Sequence, residues 1–272
     1  MVHFSNTRFD QNFIHVYMFQ HAELSYFEDD IVGNVFECTD DLLPSFTSTH
    51  LVQVVADPSQ PFAVPIIPPP GGATSYAGIF MLYTNHDRPM IIGEPGSDPA
   101  RRNRFRDIDN GILKYYGDDL LVQNSSFLDL NTDGEGGSAV QMTEGDFLEV
   151  YGLGVSAGSG VPIPGNGDPE TVRGAWRGVE ANWVNQVTVR DCKMTDMAVF
   201  GIRTRYATER LDVQNNAVEA GRYGVFDFAS SAGAFTIDNN NIEILATSPY
   251  GAGGYYRSEE RRVGKECPSP CR

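Results

Sequence analysis

The sequence predicts an all-β solenoid, on three observations. A repeat of about 23 residues runs along it, each unit consists of short period-2 blocks of apolar residues, and Gly and Asn punctuate those blocks without helical periodicity between them. The clearest marker is Gly followed by a branched apolar residue, at Gly178-Val179, Gly201-Ile202 and Gly224-Val225, in steps of 23. Alternating pairs follow at Val187/Val189, Leu211/Val213 and Phe235/Ile237, and then Asp191-Cys192, Asn215-Asn216 and Asn239-Asn240, each series in steps of 24. A β-sandwich would carry turn signals every ~8–12 residues and no fixed longer period.

Earlier units are Gly78-Ile79 with Ile91, Asn103 and Phe105, Gly111-Ile112 with Leu120/Val122, Asn124 and Phe127, and Ala139-Val140 with Leu148/Val150. Weaker copies at Val2–Phe9 and around Ile31, Asn34 and Phe36 bring the count to about eight coils. A coil of this length lets each block lie parallel on its equivalent, roughly 4.8 Å along the axis. Val179, Ile202 and Val225 are then expected in one inward column. Asn suits a corner in the left-handed region, and stacked Asn side chains can bond along the axis. On these residues the chain resembles the right-handed parallel β-helix superfamily, the fold of pectate lyases and polygalacturonases, over residues 1–250. The resemblance implies the fold; function sits in sites grafted on it.

The start already falls within a repeat unit, and Phe235, Ile237, Ile242 and Ile244 complete one near the end, so residues 1–250 are read as a helix cut at both ends. Residues 251–272 are expected to form a disordered tail. Within it, 257–267 read as the in-frame translation of a sequencing adapter, so 257–272 are expected to be foreign to the native protein. Three insertions, at about 37–77, 128–138 and 156–177, fall in one interval of the repeat and are expected to emerge on one side and wall a groove.

Composition narrows the function. A net charge of −16 excludes a nonspecific nucleic-acid binder, which needs a basic footprint. Mean hydropathy is −0.28, and no stretch approaches the ~18 apolar residues of a membrane-spanning helix. Outside the tail the cysteines are Cys38 and Cys192, far apart in sequence and expected as free buried thiols. The five histidines show no metal-ligand spacing, and Gly152-Leu153-Gly154 opens no helix.

Candidate sites are few. Asp129, Asn131, Asp133 and Glu135 around Gly134 match the first half of a calcium loop, because alternating short oxygen ligands about a tight turn suit a hard cation. Val140 stands where a bidentate Glu would close an EF-hand, so Glu144 or Asp146 would have to complete the shell. Asp107 and Asp196 hold the same place in their coils, and a turn-capping aspartate explains Asp129 without metal. Asn131-Thr132-Asp133-Gly134 is similar to the Asn-Thr-Asp element of polygalacturonases, but no His-Gly or Arg-Ile-Lys element follows it. Pectate-lyase signatures are missing too.

The residue after each Gly-apolar pair should face outward, giving the row Phe80, Leu113, Gln141, Glu180, Arg203 and Phe226. Glu180 and Arg203 fall one coil apart, as a cross-coil ion pair or, alternatively, a catalytic acid–base pair. Tyr76 and Trp176 lie at coil entries, where aromatic faces would stack on sugars or pack a corner; Trp183 is expected in the core. The expectation is a non-catalytic segment of a larger secreted or cell-surface protein, presenting loops to extended glycans or a surface partner. The alternative is a β-helix polysaccharide lyase or glycoside hydrolase. The sequence implies no specific oligomer.

Overall fold

The computed structural model describes residues 3–19, 22–23, 30–40, 42, 74–86, 89–95, 98–130, 137–153, 172–244 and 253–257. Within them the chain is almost wholly strand, and the strands stack in parallel. Each coil passes through three walls. The first holds Ile14–Phe19, Ser75–His86, Ile108–Gly117, Ser138–Tyr151, Arg177–Arg190, Phe200–Arg205, Tyr223–Phe228 and Gly253–Arg257. The second holds His3–Ser5, Asp30–Val32, Met90–Ile92, Leu120–Gln123, Arg210–Gln214 and Ala234–Asp238. Ser138–Tyr151 and Arg177–Arg190 run through both, so the two walls belong to one bent sheet. The third wall is a separate sheet of eight described strands: Arg8–Asp10, Val35–Glu37, Asn103–Arg106, Ser125–Leu128, Val172–Arg173, Lys193–Met197, Ala217–Ala220 and Asn241–Ile244.

Left-handed backbone makes the corners. Between the second and third walls it falls on Asn6, Gly33, Gly93, Asn124, Gly152, Asp191, Asn215 and Asn239. Between the third and first walls it falls on Gln11, Asp107, Asp129, Gly174 and Asp196. Nearly all are Gly, Asn or Asp, the residues that adopt this region most readily. The bend joining the first wall to the second differs. Tyr83, Tyr116, Glu144, Trp183, Tyr206 and Ala229 hold φ between 53° and 60° there, and none is Gly, Asn or Asp. An ordinary L-residue in this region costs roughly 1–2 kcal/mol.

Alternation then fills the interior. Val16, Ile79, Ile112, Val140, Val179, Ile202 and Val225 stand in one register column, all buried. The expected inward column is therefore present and continues toward the N-terminus. In the third wall Phe9, Phe36, Phe105 and Phe127 stack ring on ring, with centroids 5.1, 4.6 and 4.6 Å apart, as strands at ~4.8 Å spacing require. The recurring Gly of the sequence pattern sits against this wall. A Cβ on Gly178 would lie 2.5 Å from Met194 Sδ, and one on Gly201 2.1 Å from Val218 Cγ1.

Asparagines close the turn beside Asp191 and Asn215. Asn216 accepts from the Cys192 N–H at 3.0 Å and donates to the Val189 carbonyl at 3.0 Å and to Asn240 Oδ1 at 2.9 Å. Asn34 and Asn103 form the same ladder near the N-terminus. Cys38 and Cys192 are free and buried, and burial pushes the Cys192 thiol up to about 12.

One inward column breaks the apolar rule, at Lys114 and again at Thr204 and Asp227, which bond to each other. Lys114 stands in register between Met81 and Met142, fully buried. Its ammonium donates to Thr84 Oγ1 at 2.8 Å and to the Thr84 carbonyl at 3.2 Å. Burial pushes its pKa down to about 8 against the opposing pull of Asp118 and Asp119.

Two segments depart from the sequence reading. The third insertion falls between the Gly152 corner and Val172, which pairs with Phe127 and Met194 in the third wall. It therefore opens at a different corner from the insertions that follow Glu37 and Leu128; a two-residue strand is too short to show alternation. Gly253–Arg257, expected within a disordered tail, pairs in parallel with Tyr223–Phe228. The exposed edge of that strand offers unpaired N–H and C=O groups, and pairing satisfies them. Residues 258–272 lie outside the described residues, as do Cys267 and Cys271.

Two stability tests follow. Asn216→Ala removes the partners of a buried N–H and a buried carbonyl, and should cost about 2–3 kcal/mol in urea unfolding, whereas Asn239→Ala, exposed and left-handed, loses only a surface amide bond and the Asn preference for that backbone and should cost about 1 kcal/mol. Lys114→Met should stabilise the protein by about 1–3 kcal/mol at pH 7. The folded-state pKa lies below the unfolded value of 10.5, so the buried-charge penalty is full below pH 8 and fades as pH rises to 10.5. The advantage of the methionine should shrink across that window in pH-resolved denaturation.

Candidate functional site

The outward face of the first wall carries the candidate site. Alternation turns the residue after each inward Val or Ile to the opposite face. Register sets Tyr17, Phe80, Leu113, Gln141, Glu180, Arg203 and Phe226 in one row along the axis. The expected row exists, but not all of it meets solvent. Phe80 and Leu113 are buried. Tyr17, Tyr76 and Tyr115 pack around Phe80 with centroids 5.6, 6.3 and 5.7 Å away, so aromatic side chains from in and beside the row cover it.

Glu180 is the electrostatic centre, only 4% exposed. Arg203, one coil on, reaches its Oε1 at 3.1 Å, and Arg177 reaches Oε2 at 3.1 Å. Asn182 donates to Oε1 at 3.1 Å. Both oxygens are engaged, so the carboxylate anchors two guanidinium groups. Of the two roles expected for the Glu180–Arg203 pair, this geometry builds the cross-coil ion pair. Arg203 also lies over the Phe200 ring, 5.2 Å from its centroid, and Phe200 packs on Phe226 at 5.2 Å.

Toward the N-terminal side of this row the surface is phenolic. Gln141 donates to the Tyr115 hydroxyl at 3.0 Å. Burial, with the neighbouring Tyr76 and Glu180, raises the Tyr115 pKa. Tyr76 stacks on Phe13 at 5.7 Å, and burial first, then Asp109, pushes its phenol up to about 12. It is half-buried. Trp176 is half-buried at the turn into the Arg177 strand, where its carbonyl accepts from the Val199 and Phe200 N–H groups at 3.1 and 3.2 Å.

Asp129 takes left-handed backbone in the same corner column as Asp107 and Asp196. Asn131, Asp133 and Glu135 lie outside the described residues. Among the described residues no cluster of three His, Cys, Asp or Glu could hold a metal, and no helix is long and apolar enough to cross a membrane.

Sequence reasoning missed two features. Asp212, 2% exposed on the outward face of the second wall, pairs with Arg190 and with Arg210, the latter at 2.7 Å. Arg190 and Asp212 occupy the sequence blocks read only for their inward Val and Leu. Trp183 is the second feature and a correction. It was expected in the core and is 48% exposed, because its φ of 53° places it at the bend between the first two walls. Nothing in a Trp residue signals left-handed backbone.

Stacked parallel walls with left-handed corners define a β-helix. The chain belongs to that family: the family model described as right handed beta helix region matches residues 89–258, more than half of its length. No curated protein and no solved structure matches it.

Neutralising Glu180 tests the anchor. Glu180→Gln should destabilise by about 2–4 kcal/mol, because two partly buried guanidinium groups lose their counter-charge. A double-mutant cycle with Arg203→Met, read by urea unfolding, should return a coupling of about 1 kcal/mol or more.

Proposed function

We propose that the chain is a non-catalytic β-helix segment of a larger secreted or cell-surface protein, which presents its outward face and insertions to extended glycans or a surface partner. The observation that carries this reading is the state of Glu180. Its oxygens are held by Arg177, Arg203 and Asn182, so the charged centre of the row serves to fix guanidinium groups beside aromatic rings. Guanidinium and tyrosine groups present donors and apolar edges together, which suits sugar hydroxyls over C–H faces. Tyr76 and Trp176 flank this row near its coil entries.

Affinity electrophoresis through gels containing soluble glucans, xylans and pectins tests the reading. Retardation by at least one polysaccharide is expected, with Tyr76→Ala or Trp176→Ala weakening it several-fold (on the order of 1 kcal/mol). Migration unchanged in every gel would overturn it. New reducing ends or unsaturated products in the same incubations would instead assign a glycoside hydrolase or a lyase.

A further inference from the structure

The bend between the first two walls carries a column that folding alone does not require. Register aligns Tyr83 with Tyr116, Glu144, Trp183, Tyr206 and Ala229, one per rung, all with left-handed backbone. The other two corners take this conformation with Gly, Asn and Asp at nearly every rung. Here the chain keeps three tyrosines and a tryptophan where those residues strain the backbone. Strain retained at successive equivalent positions, with the unstrained solution in use elsewhere in the coil, points to a role for the side chains.

The rings form a strip along the axis. Tyr83 stacks on Tyr116 with centroids 5.1 Å apart and planes 15° apart, and Trp183 on Tyr206 at 5.0 Å and 16°. Rings in contact have planes ~3.5 Å apart, so centroids 5 Å apart mean an offset of roughly 3.6 Å. The rings overlap like shingles, and each leaves part of a face uncovered by its neighbour. Trp183 and Phe228 are exposed by 48% and 39%, and Phe19, 46% exposed, continues the strip beside Tyr83 at 6.3 Å. Arg205 lies 5.7 Å from the Trp183 ring centroid, and Glu144 interrupts the rings between Tyr116 and Trp183. From Tyr83 to Tyr206 the strip covers five rungs, four spacings or about 19 Å.

We propose that this aromatic column is a second binding site, for an extended neutral glycan lying along the helix axis. The proposal rests on the glycan-binding reading above but places the sugar on a different face of the coil. A one-dimensional strip of partial ring faces at rung spacing fits a narrow polymer with an apolar C–H face on each unit. Arg205 and Glu144 offer a donor and an acceptor to its hydroxyls. The net charge of −16 repels polyanions and a second copy of this chain at long range, whereas an uncharged sugar meets no such barrier.

Replacing the rings with the residue the other corners use separates function from packing. Trp183→Asn and Tyr206→Asn relieve the left-handed strain, so their melting temperatures should hold or rise. Cellohexaose and xylohexaose, titrated calorimetrically into the full chain, should bind each variant roughly tenfold more weakly than the parent, with hexagalacturonate the weaker ligand of the parent throughout. Neutral-sugar affinity unchanged in both variants would overturn the second site while leaving the glycan reading intact. A parent that binds no sugar would remove both. A fall of several degrees in both variants would make the column a packing device and overturn the proposal. So would concentration-dependent self-association in ultracentrifugation that the same substitutions abolish, since the strip would then be a contact between copies.

Discussion

Everything in this molecule depends on the parallel backbone ladder, which lays each coil on the next at ~4.8 Å and in fixed register. Once the register is set, a position in the coil becomes a column, and its chemistry must be compatible with copies of itself. Branched apolar residues meet that condition by packing, as from Ile79 to Val225. Phenylalanines meet it by stacking, and asparagines by bonding amide to amide, as Asn216 does with Asn240. The Gly column exists because a third condition holds at the same time. Where the first wall presses on the third, Met194 and Val218 occupy the space a Cβ would need.

Self-compatible columns are what made the fold legible in the sequence. Gly178-Val179, Gly201-Ile202 and Gly224-Val225 repeat because packing repeats, and the Asn pairs repeat because a corner and a ladder repeat beneath them. The same logic set Glu180 beside Arg203. What escaped were features without a residue-type signature. Trp183 and Tyr206 take a conformation that sequence reading assigns to Gly, Asn or Asp, so their corner left no mark. Val172–Arg173 is a full member of the third wall by register yet only two residues long, so the insertion before it was assigned to the wrong interval. The burial of Phe80 was equally hidden, because it depends on three tyrosines from neighbouring positions around the row and not on Phe80 itself.

Charges are the side chains that self-stacking tolerates least. Glu219 and Glu243 are in register, and burial together with the charges of Glu243 and Asp196 raises the Glu219 pKa. With 36 acidic residues against 20 basic ones, such contacts cannot all be relieved. The buried carboxylates Glu180 and Asp212 are the ones given two arginines each, from their own and an adjacent coil. Each triad sets a carboxylate against a guanidinium group of its own rung and one of an adjacent rung, so it meets opposite charge in both directions.

That placement changes what a partner meets. On an acidic protein, both carboxylates buried in the outward faces of the sheet are covered by guanidinium groups, so those patches present donors where the overall charge predicts acceptors. Arg203 is additionally held against Phe200, so one of these donors sits beside an aromatic ring, and Arg205, outside both triads, lies against Trp183. A ligand that combined acceptor oxygens with apolar faces would match both chemistries at once, and a purely ionic ligand only one. The register that builds the core thus also sets Arg205 beside Trp183 on the neighbouring rung, whereas Arg203 and Phe200 meet within one strand.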